Sequence, residues 1–318
     1  MVIFRNINEI RGAIFNAVVT IGNFDGVHLG HQKIFSRART ASRALGGPSV
    51  VVTFVPHPLK LFPSLKSLQL LTPYSEKENL IKASGVDYLV VIPFSHEFAA
   101  IHAREFVSDV LVGQIGMKKL IVGYDYSFGH NREGNIQLLT EMAAELDFTL
   151  EVLEPIGKGE VVYSSTGIRK KLNEGKVKDV ISLLGRNYSI TGTVIHGHHR
   201  GKGLGFPTAN LATENELIPK NGVYAVKVLI AGKMFDGACN IGNKPTFSDE
   251  STTIEVFVFD LDVDLYGKSI KLFFIDRIRD EFKLPDAASL KSAISEDIAR
   301  CRVLLHQAIV LEQQEVII

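Results

Sequence analysis

"GNFDGVHLGHQ", residues 22–32, decides how the first half of the chain reads. An apolar run, Ala17–Ile21, leads into it. A helix-like stretch, "HQKIFSRARTASRALGG", leads out and closes at Gly46-Gly47. His28 and His31 are three apart, so on a helix they share a face. Gly30 between them lets a ligand approach the backbone closely. A strand that hands over to a helix presents free N–H groups and the positive end of the helix dipole, which suits phosphate. Two imidazoles there add donors for charge developing on a phosphoryl group. Two plainer readings stay open: a helix cap with incidental histidines, and half of a metal site with no third ligand nearby.

Working outward, further apolar runs follow at Val50–Val55, Tyr88–Pro93, Leu120–Val122 and Phe148–Leu153. Helical patterns lie between them, including "HEFAAIHAREFVSDVLVG", residues 96–113. This alternation predicts βαβ units and a parallel sheet, in which ligands bind outside the carboxyl ends of the strands. Polar segments recur at those ends: "TFVPHP" (53–58), "GYDYSFGHNREGN" (123–135) and "SSTGIRKKL" (164–172). In the last, hydroxyls stand before a basic helical turn, where they cap the helix or bind phosphate with Arg169. Each segment alone reads as a loop or a cap. Together they place polar groups along one edge of one sheet.

From Asn187 the rhythm changes to strand-like runs: "YSITGTVIHG", "GVYAVKVLIAG", "GACNIG", "TTIEVFVFD" and "IKLFFIDRI". They predict an antiparallel barrel or sandwich. A closing helix carries Leu290, Ile294, Ile298, Cys301 and Leu305 on one apolar face. "KVKDVISLLGRNYS" ends a helix at Gly185 and reads as the junction. "GHHRGKGLGFPTAN", residues 197–210, is glycine-rich but is not a P-loop, because Gly203 follows Lys202 where Ser or Thr is needed. In its tail, Thr208 and Asn210 fall on the same side of an extended chain. They offer two neutral oxygens of the kind Mg²⁺ takes alongside phosphates and waters. Glu255, the carboxylate within "TTIEVFVFD", reads by itself as a solvent-facing strand residue.

The chain has 318 residues, enough for two domains. Lys+Arg and Asp+Glu are equal at 35 each, so a broad nucleic-acid or membrane surface is not expected. No apolar run is long enough to span a bilayer, and Met1–Arg11 lacks the apolar core of a signal peptide. Cys239 and Cys301 are far apart without a CxxC partner, which argues against a disulfide framework or a zinc knuckle. A cytoplasmic protein is the expectation.

The first stretch carries the HxGH signature of nucleotidyltransferases. With "TFVPHP", "GYDYSFGHNREGN" and "SSTGIR" in this order, it resembles the adenylyltransferase module of bacterial bifunctional riboflavin kinase/FAD synthetases. The glycine-rich loop plus "PTAN", followed by "GVYAVKV", "NIGNKPTF" and "IEVFVFDLDVDLYGKSIKL", resembles the riboflavin kinase module of the same family. The resemblance implies an N-terminal Rossmann-like nucleotidyltransferase domain with a parallel sheet (1–186). It implies a C-terminal antiparallel β-barrel kinase domain with a terminal helix (187–318). It also implies that His28 and His31 bind the ATP phosphates and steady the leaving pyrophosphate. Gly22, Asn23, Phe24, Asp25 and Gly30 line the nucleotide pocket, and Ser165, Thr166 and Arg169 hold the triphosphate. Asp125 lies near the flavin–nucleotide junction.

In the kinase half, Gly197, Gly203 and Gly205 contribute to nucleotide binding, and Thr208 and Asn210 orient Mg²⁺-ATP. The same resemblance implies that Glu255 is the general base and that Arg279 lies near the flavin. The implied partners are riboflavin, FMN and ATP, without nucleic acid or membrane, and with weak homo-oligomerisation left open. Three positions depart from the family pattern: Val55, where an acidic residue is usual; Gly167, where arginine is frequent; and Phe257, where histidine is common. Val55 leaves one alternative, a riboflavin kinase with a weak or inactive adenylyltransferase half.

Overall fold

The computed structural model describes the chain except residues 11, 63–67, 160, 197–205, 246–249, 283–284 and 313–318. Met1–Ser164 form one compact unit, and Ser165–Glu312 form a second.

The first unit runs β1 (Val2–Phe4), β2 (Ala17–Ile21), α1 (Leu29–Leu45), β3 (Ser49–Val55), α2 (Tyr74–Ala83) and β4 (Tyr88–Pro93). It continues through α3 (His96–Ala99), α4 (Ala103–Glu105), a π-helical stretch (Phe106–Gln114), β5 (Met117–Gly123), α5 (Ile136–Glu145) and β6 (Thr149–Leu153). A short hairpin, β7 (Gly157–Lys158) and β8 (Val161–Val162), follows. The main sheet has the order β1-β4-β3-β2-β5-β6, and every neighbouring pair in it is parallel. Val, Ile and Leu dominate β2, β3 and β4 because a parallel sheet is covered on both faces. One face packs Val19, Val52, Val90 and Leu120 against Phe106, Leu111, Leu139 and Met142. The opposite face packs Val51, Leu89 and Val91 against Phe35, Leu80 and Ile81, and Val18 and Ile121 against Ala38 and Ala41.

From β2 the chain moves outward to β3 and β4, then returns across to β5 on the other side of β2. The strand order therefore reverses between β2 and β5, and a crevice opens there at the carboxyl ends. "GNFDGVHLGHQ" and "GYDYSF" are the segments that leave those two strands.

Two features were not legible in the sequence. The edge strand β1 is only "VIF", paired with Tyr88–Val90, and three residues carry no periodic signal. Residues 96–113 do not form one helix. Ser95 caps α3 by accepting from Phe98 N, the chain is extended at His102, and helix restarts at Ala103. Apolar spacing persists across that break, so periodicity cannot detect it.

The second unit begins with α6 (Ser165–Asn173) and α7 (Val177–Leu184). α7 stops at Gly185, whose φ of 71° is the left-handed cap that glycine tolerates. β9 (Ser189–Ile195), β10 (Ala209–Thr213), β11 (Gly222–Ile230), β12 (Lys233–Pro245), β13 (Glu250–Val258) and β14 (Ser269–Arg279) follow, then α8 (Ala287–His306). The strands close into a barrel in the order β10-β13-β12-β11-β14-β9. Closure comes from β9, which pairs with both β10 and β14, and this removes the sandwich alternative. α6 and α7 pack on the barrel: Lys220 N donates to Leu172 O (3.0 Å), and Lys178 pairs with Asp276 (3.4 Å). On α8, Cys301 and Leu305 are fully buried and Ile298 partly so, whereas Leu290 is exposed. Its apolar face covers the barrel along the carboxyl-terminal part of the helix.

Candidate active sites

At the first site, β2 gives way to a turn that L-residues resist. Phe24 (φ 48°), Gly26 (φ 81°) and Val27 (φ 38°) are all left-handed, a costly conformation for β-branched Val27. Long-range bonds hold it. The buried Asp25 carboxylate accepts from Leu71 N (3.0 and 3.1 Å) and from Thr72 N (3.4 Å). Gly26 N donates to Thr72 Oγ1 (3.4 Å), and Gln32 Nε2 donates to Val27 O (2.9 Å). Phe24 turns its ring into the core, edge-on to Phe35 at 4.8 Å and to His31 at 5.2 Å. The Asp25 carboxylate thus secures the loop, and the Phe24 side chain supports it from beneath.

The turn delivers His28 to the N-cap of α1, where its Nδ1 accepts from His31 N (3.4 Å). With Nδ1 accepting, the neutral ring carries its proton on Nε2. The rings of His28 and His31 stack with centroids 3.6 Å apart and planes 22° apart. Two imidazoles and the first N–H groups of α1 thus meet at the switch point, which is an anion-receptive arrangement. Gly30 permits it. A Cβ there would lie 3.0 Å from both Cε1 and Nδ1 of His28, and the stacked ring has little room to yield. Gly30→Ala is therefore expected to cut turnover at this site by about tenfold to a hundredfold. The fold should survive, because alanine favours a helix over glycine by about 1 kcal/mol. Steady-state rates beside a thermal melt check this, and an unchanged rate would show that the ring moves freely.

The other strand ends contribute unequally. His57 caps a short turn after β3, its Nδ1 accepting from Leu59 N (3.2 Å), while its own N–H donates to Tyr74 Oη (2.7 Å). Val55 is half-buried and packs with the core beside it. Asp125 is exposed just past β5. Beside it begins an aromatic ladder absent from the sequence reading. Tyr126 stacks on Phe128 (5.3 Å), Phe128 approaches Phe106 (6.0 Å), Phe106 meets Phe98 (5.8 Å), and Phe98 reaches Phe54 (5.9 Å). Its members are too scattered in sequence to form a pattern. Ser165, Thr166 and Arg169 occupy the first turns of α6, which belongs by packing to the second unit.

At the second site, β10, β13 and β12 place Asn210, Glu255 and Asn240 in one register line. Residues directly opposite one another in antiparallel strands share a face. Thr208 Oγ1 lies 3.4 Å from Glu255 Oε2, so Thr208, Asn210 and Glu255 converge. Asn240 Nδ2 donates to Glu281 Oε1 (3.2 Å). Phe257, on the same face as Glu255, packs edge-on to Phe206 (5.8 Å) and Phe259 (5.6 Å). Arg279 is held by Asp297 of α8, with Nη2 to Oδ2 at 2.6 Å and Nε to Oδ1 at 2.9 Å, and its guanidinium lies 4.2 Å from the Phe282 ring centroid. Asn240, Glu281 and Asp297 were not singled out from sequence, since each looks there like an ordinary polar position. Gly197, Gly203 and Gly205 lie outside the described residues.

Burial pushes the thiol of Cys301 up to about 12 and raises that of Cys239 as well, so neither is a ready thiolate nucleophile. Among the described residues, no group of three or more His, Cys, Asp or Glu is placed to hold a metal. The oxygens of Thr208, Asn210 and Glu255 are hard donors whose chemistry fits Mg²⁺, an ion that completes its shell with phosphates and waters.

The family models match both halves: FAD synthetase over residues 13–167 and riboflavin kinase over residues 184–305. A bifunctional riboflavin kinase/FMN adenylyltransferase of Buchnera aphidicola (subsp. Acyrthosiphon pisum) is 38% identical over 301 residues, covering 94% of this chain and 96% of that protein. This chain belongs to the bifunctional riboflavin kinase/FMN adenylyltransferase family. The family's Escherichia coli K12 member is 38% identical over 281 residues, 88% of this chain and 90% of that one. A crystal structure of a Streptococcus pneumoniae protein called a macrolide-efflux protein is similar throughout, with a TM-score of 0.86 and 32% identity, covering 95% of this chain and 98% of that one. No helix among the described residues of this family member is long and apolar enough to cross a membrane. With both modules matched, the kinase-only alternative gains no support.

Proposed function

We propose that the two activities of this enzyme divide between the two sites described above. In the barrel, Glu255 takes the proton from the ribityl 5′-hydroxyl of riboflavin. The oxygen attacks the γ-phosphorus of ATP, FMN forms and ADP leaves. Thr208 and Asn210 would hold Mg²⁺, which would neutralise the phosphates, and the glycine-rich loop through Gly197, Gly203 and Gly205 would bind the nucleotide. Arg279, fixed by Asp297, borders the flavin.

In the parallel-sheet unit, a phosphate oxygen of FMN attacks the α-phosphorus of a second ATP, giving FAD and pyrophosphate without a covalent enzyme intermediate. His28, His31 and the amino end of α1 stabilise the charge that gathers on the departing pyrophosphate. Gly22, Asn23, Phe24, Asp25 and Gly30 shape the nucleotide side. The family resemblance assigns residues 1–186 to adenylyl transfer, with Ser165, Thr166 and Arg169 for the triphosphate tail, and residues 187–318 to the kinase. Asp125 lies near the flavin–nucleotide junction. The substrates are small molecules met in the cytoplasm, and any homo-oligomer is weak.

The observation that carries this reading is the stacked His28–His31 pair on the N-cap of α1, placed by β2 at the sheet's switch point. The test is a product profile. Purified protein with riboflavin, ATP and Mg²⁺ should yield FMN first and FAD after it. Neither product appearing would defeat the proposal, and arrest at FMN would leave only the kinase.

A further inference from the structure

α2 buries a charge that none of the roles above requires. Lys77 is 4% exposed. Its ammonium donates to Asn23 O (3.2 Å) and to Thr53 Oγ1 (3.1 Å), and Thr53 Oγ1 donates in turn to the same Asn23 O (3.3 Å). The ammonium also lies 5.2 Å from the centroid of the Tyr74 ring, whose hydroxyl accepts from His57 N. One side chain thus joins the loop after β2 to the end of β3. Burying an ammonium among neutral oxygens costs free energy, and an apolar residue would fill the same slot at lower cost.

We propose that Lys77 is a positioning residue for adenylyl transfer: by clamping the Asn23 carbonyl and the Thr53 hydroxyl, it fixes the left-handed turn that carries Asp25 and His28. The inference rests on the adenylyltransferase reading of this unit. The strain at Phe24 and Val27 explains why a clamp is needed, since a turn held against its preference relaxes when a tether goes. Released, it would carry His28 away from the phosphates.

Burial brings Lys77 down to about 8, against the attraction of Asp25 in the loop and Glu78 on its own helix. Those are the charged groups acting on it, while Asn23, Thr53 and Tyr74 present neutral atoms. The folded value lies below the unfolded 10.5, so the folded protein binds fewer protons between the two. This group therefore adds stability as pH rises from about 8 toward about 10.5. The clamp does the opposite, because it loses its charge as pH rises through about 8. FAD formation should accordingly fall in a range where this group makes the fold more stable.

The full-length enzyme tests this with FMN, ATP and Mg²⁺ between about pH 6 and about pH 10, FMN formation from riboflavin serving as the internal control. Wild type should show an alkaline decline in FAD formation. Lys77→Met keeps the apolar stem, so it should lower FAD formation by about a hundredfold near neutrality, abolish the decline and leave FMN formation unchanged. Lys77→Arg, which does not titrate in this range, should retain part of the activity and also lack the decline. Lys77→Met with wild-type FAD formation would overturn the proposal. So would a wild-type alkaline decline in Lys77→Arg, which remains informative if the methionine variant fails to fold. A wild-type enzyme that makes no FAD would instead defeat the adenylyltransferase reading.

Discussion

His28→Ala is expected to reduce FAD formation by about a hundredfold to a thousandfold while FMN formation continues. The size follows from what the ring does. It is a preorganised donor at the amino end of α1, stacked on His31 at 3.6 Å, and removing one such donor from an anion site costs several kcal/mol of transition-state stabilisation. The substitution also deletes the N-cap bond to His31 N, worth about 1 kcal/mol of helix stability. His28→Ser separates the two effects, because serine caps well and carries no ring. Both variants should lose FAD formation. Recovery in His28→Ser would reduce His28 to a cap. Parallel loss of FMN formation would refute the assignment of separate sites.

Glu255→Gln is expected to show the mirror image. FMN formation should fall by about a hundredfold to ten-thousandfold, the usual contribution of a general base, while supplied FMN is still converted to FAD. Glutamine keeps the shape and a donor–acceptor head near Thr208, which lies 3.4 Å from the carboxylate. The variant therefore removes the base and little else. A wild-type kinase rate would return Glu255 to an ordinary strand position. The place to look next would be Glu281, which also borders Asn240.

The motifs were legible where chemistry is local in sequence. His28, Gly30 and His31 announce themselves by spacing, and Thr208 and Asn210 share a side of an extended strand. Glu255 is different. Alone it reads as a solvated glutamate, and its meaning comes from the register line with Asn210 and Asn240. Arg279 carries no local signal beyond the family resemblance, and Asp297, which holds it, lies on another element. Lys77 sits in the polar run "SEKEN", where nothing separates it from the solvated face of a helix.

The sequence by itself determined the change from alternating helices and strands to consecutive strands, and it marked the strand-end residues proposed to meet phosphate. Those properties depend on period and neighbours, which a linear chain displays. The tertiary structure decided that the second half closes as a barrel, that residues 96–113 break into separate helical pieces, and that a buried carboxylate and a buried ammonium hold the histidine loop. Asp25 bonds to Leu71 across 46 positions, and Lys77 bonds to Asn23 across 54. No spacing rule reaches that far. Such partners are selected by the free energy of burying polar groups only where others satisfy them, and that condition is met only once the chain has folded.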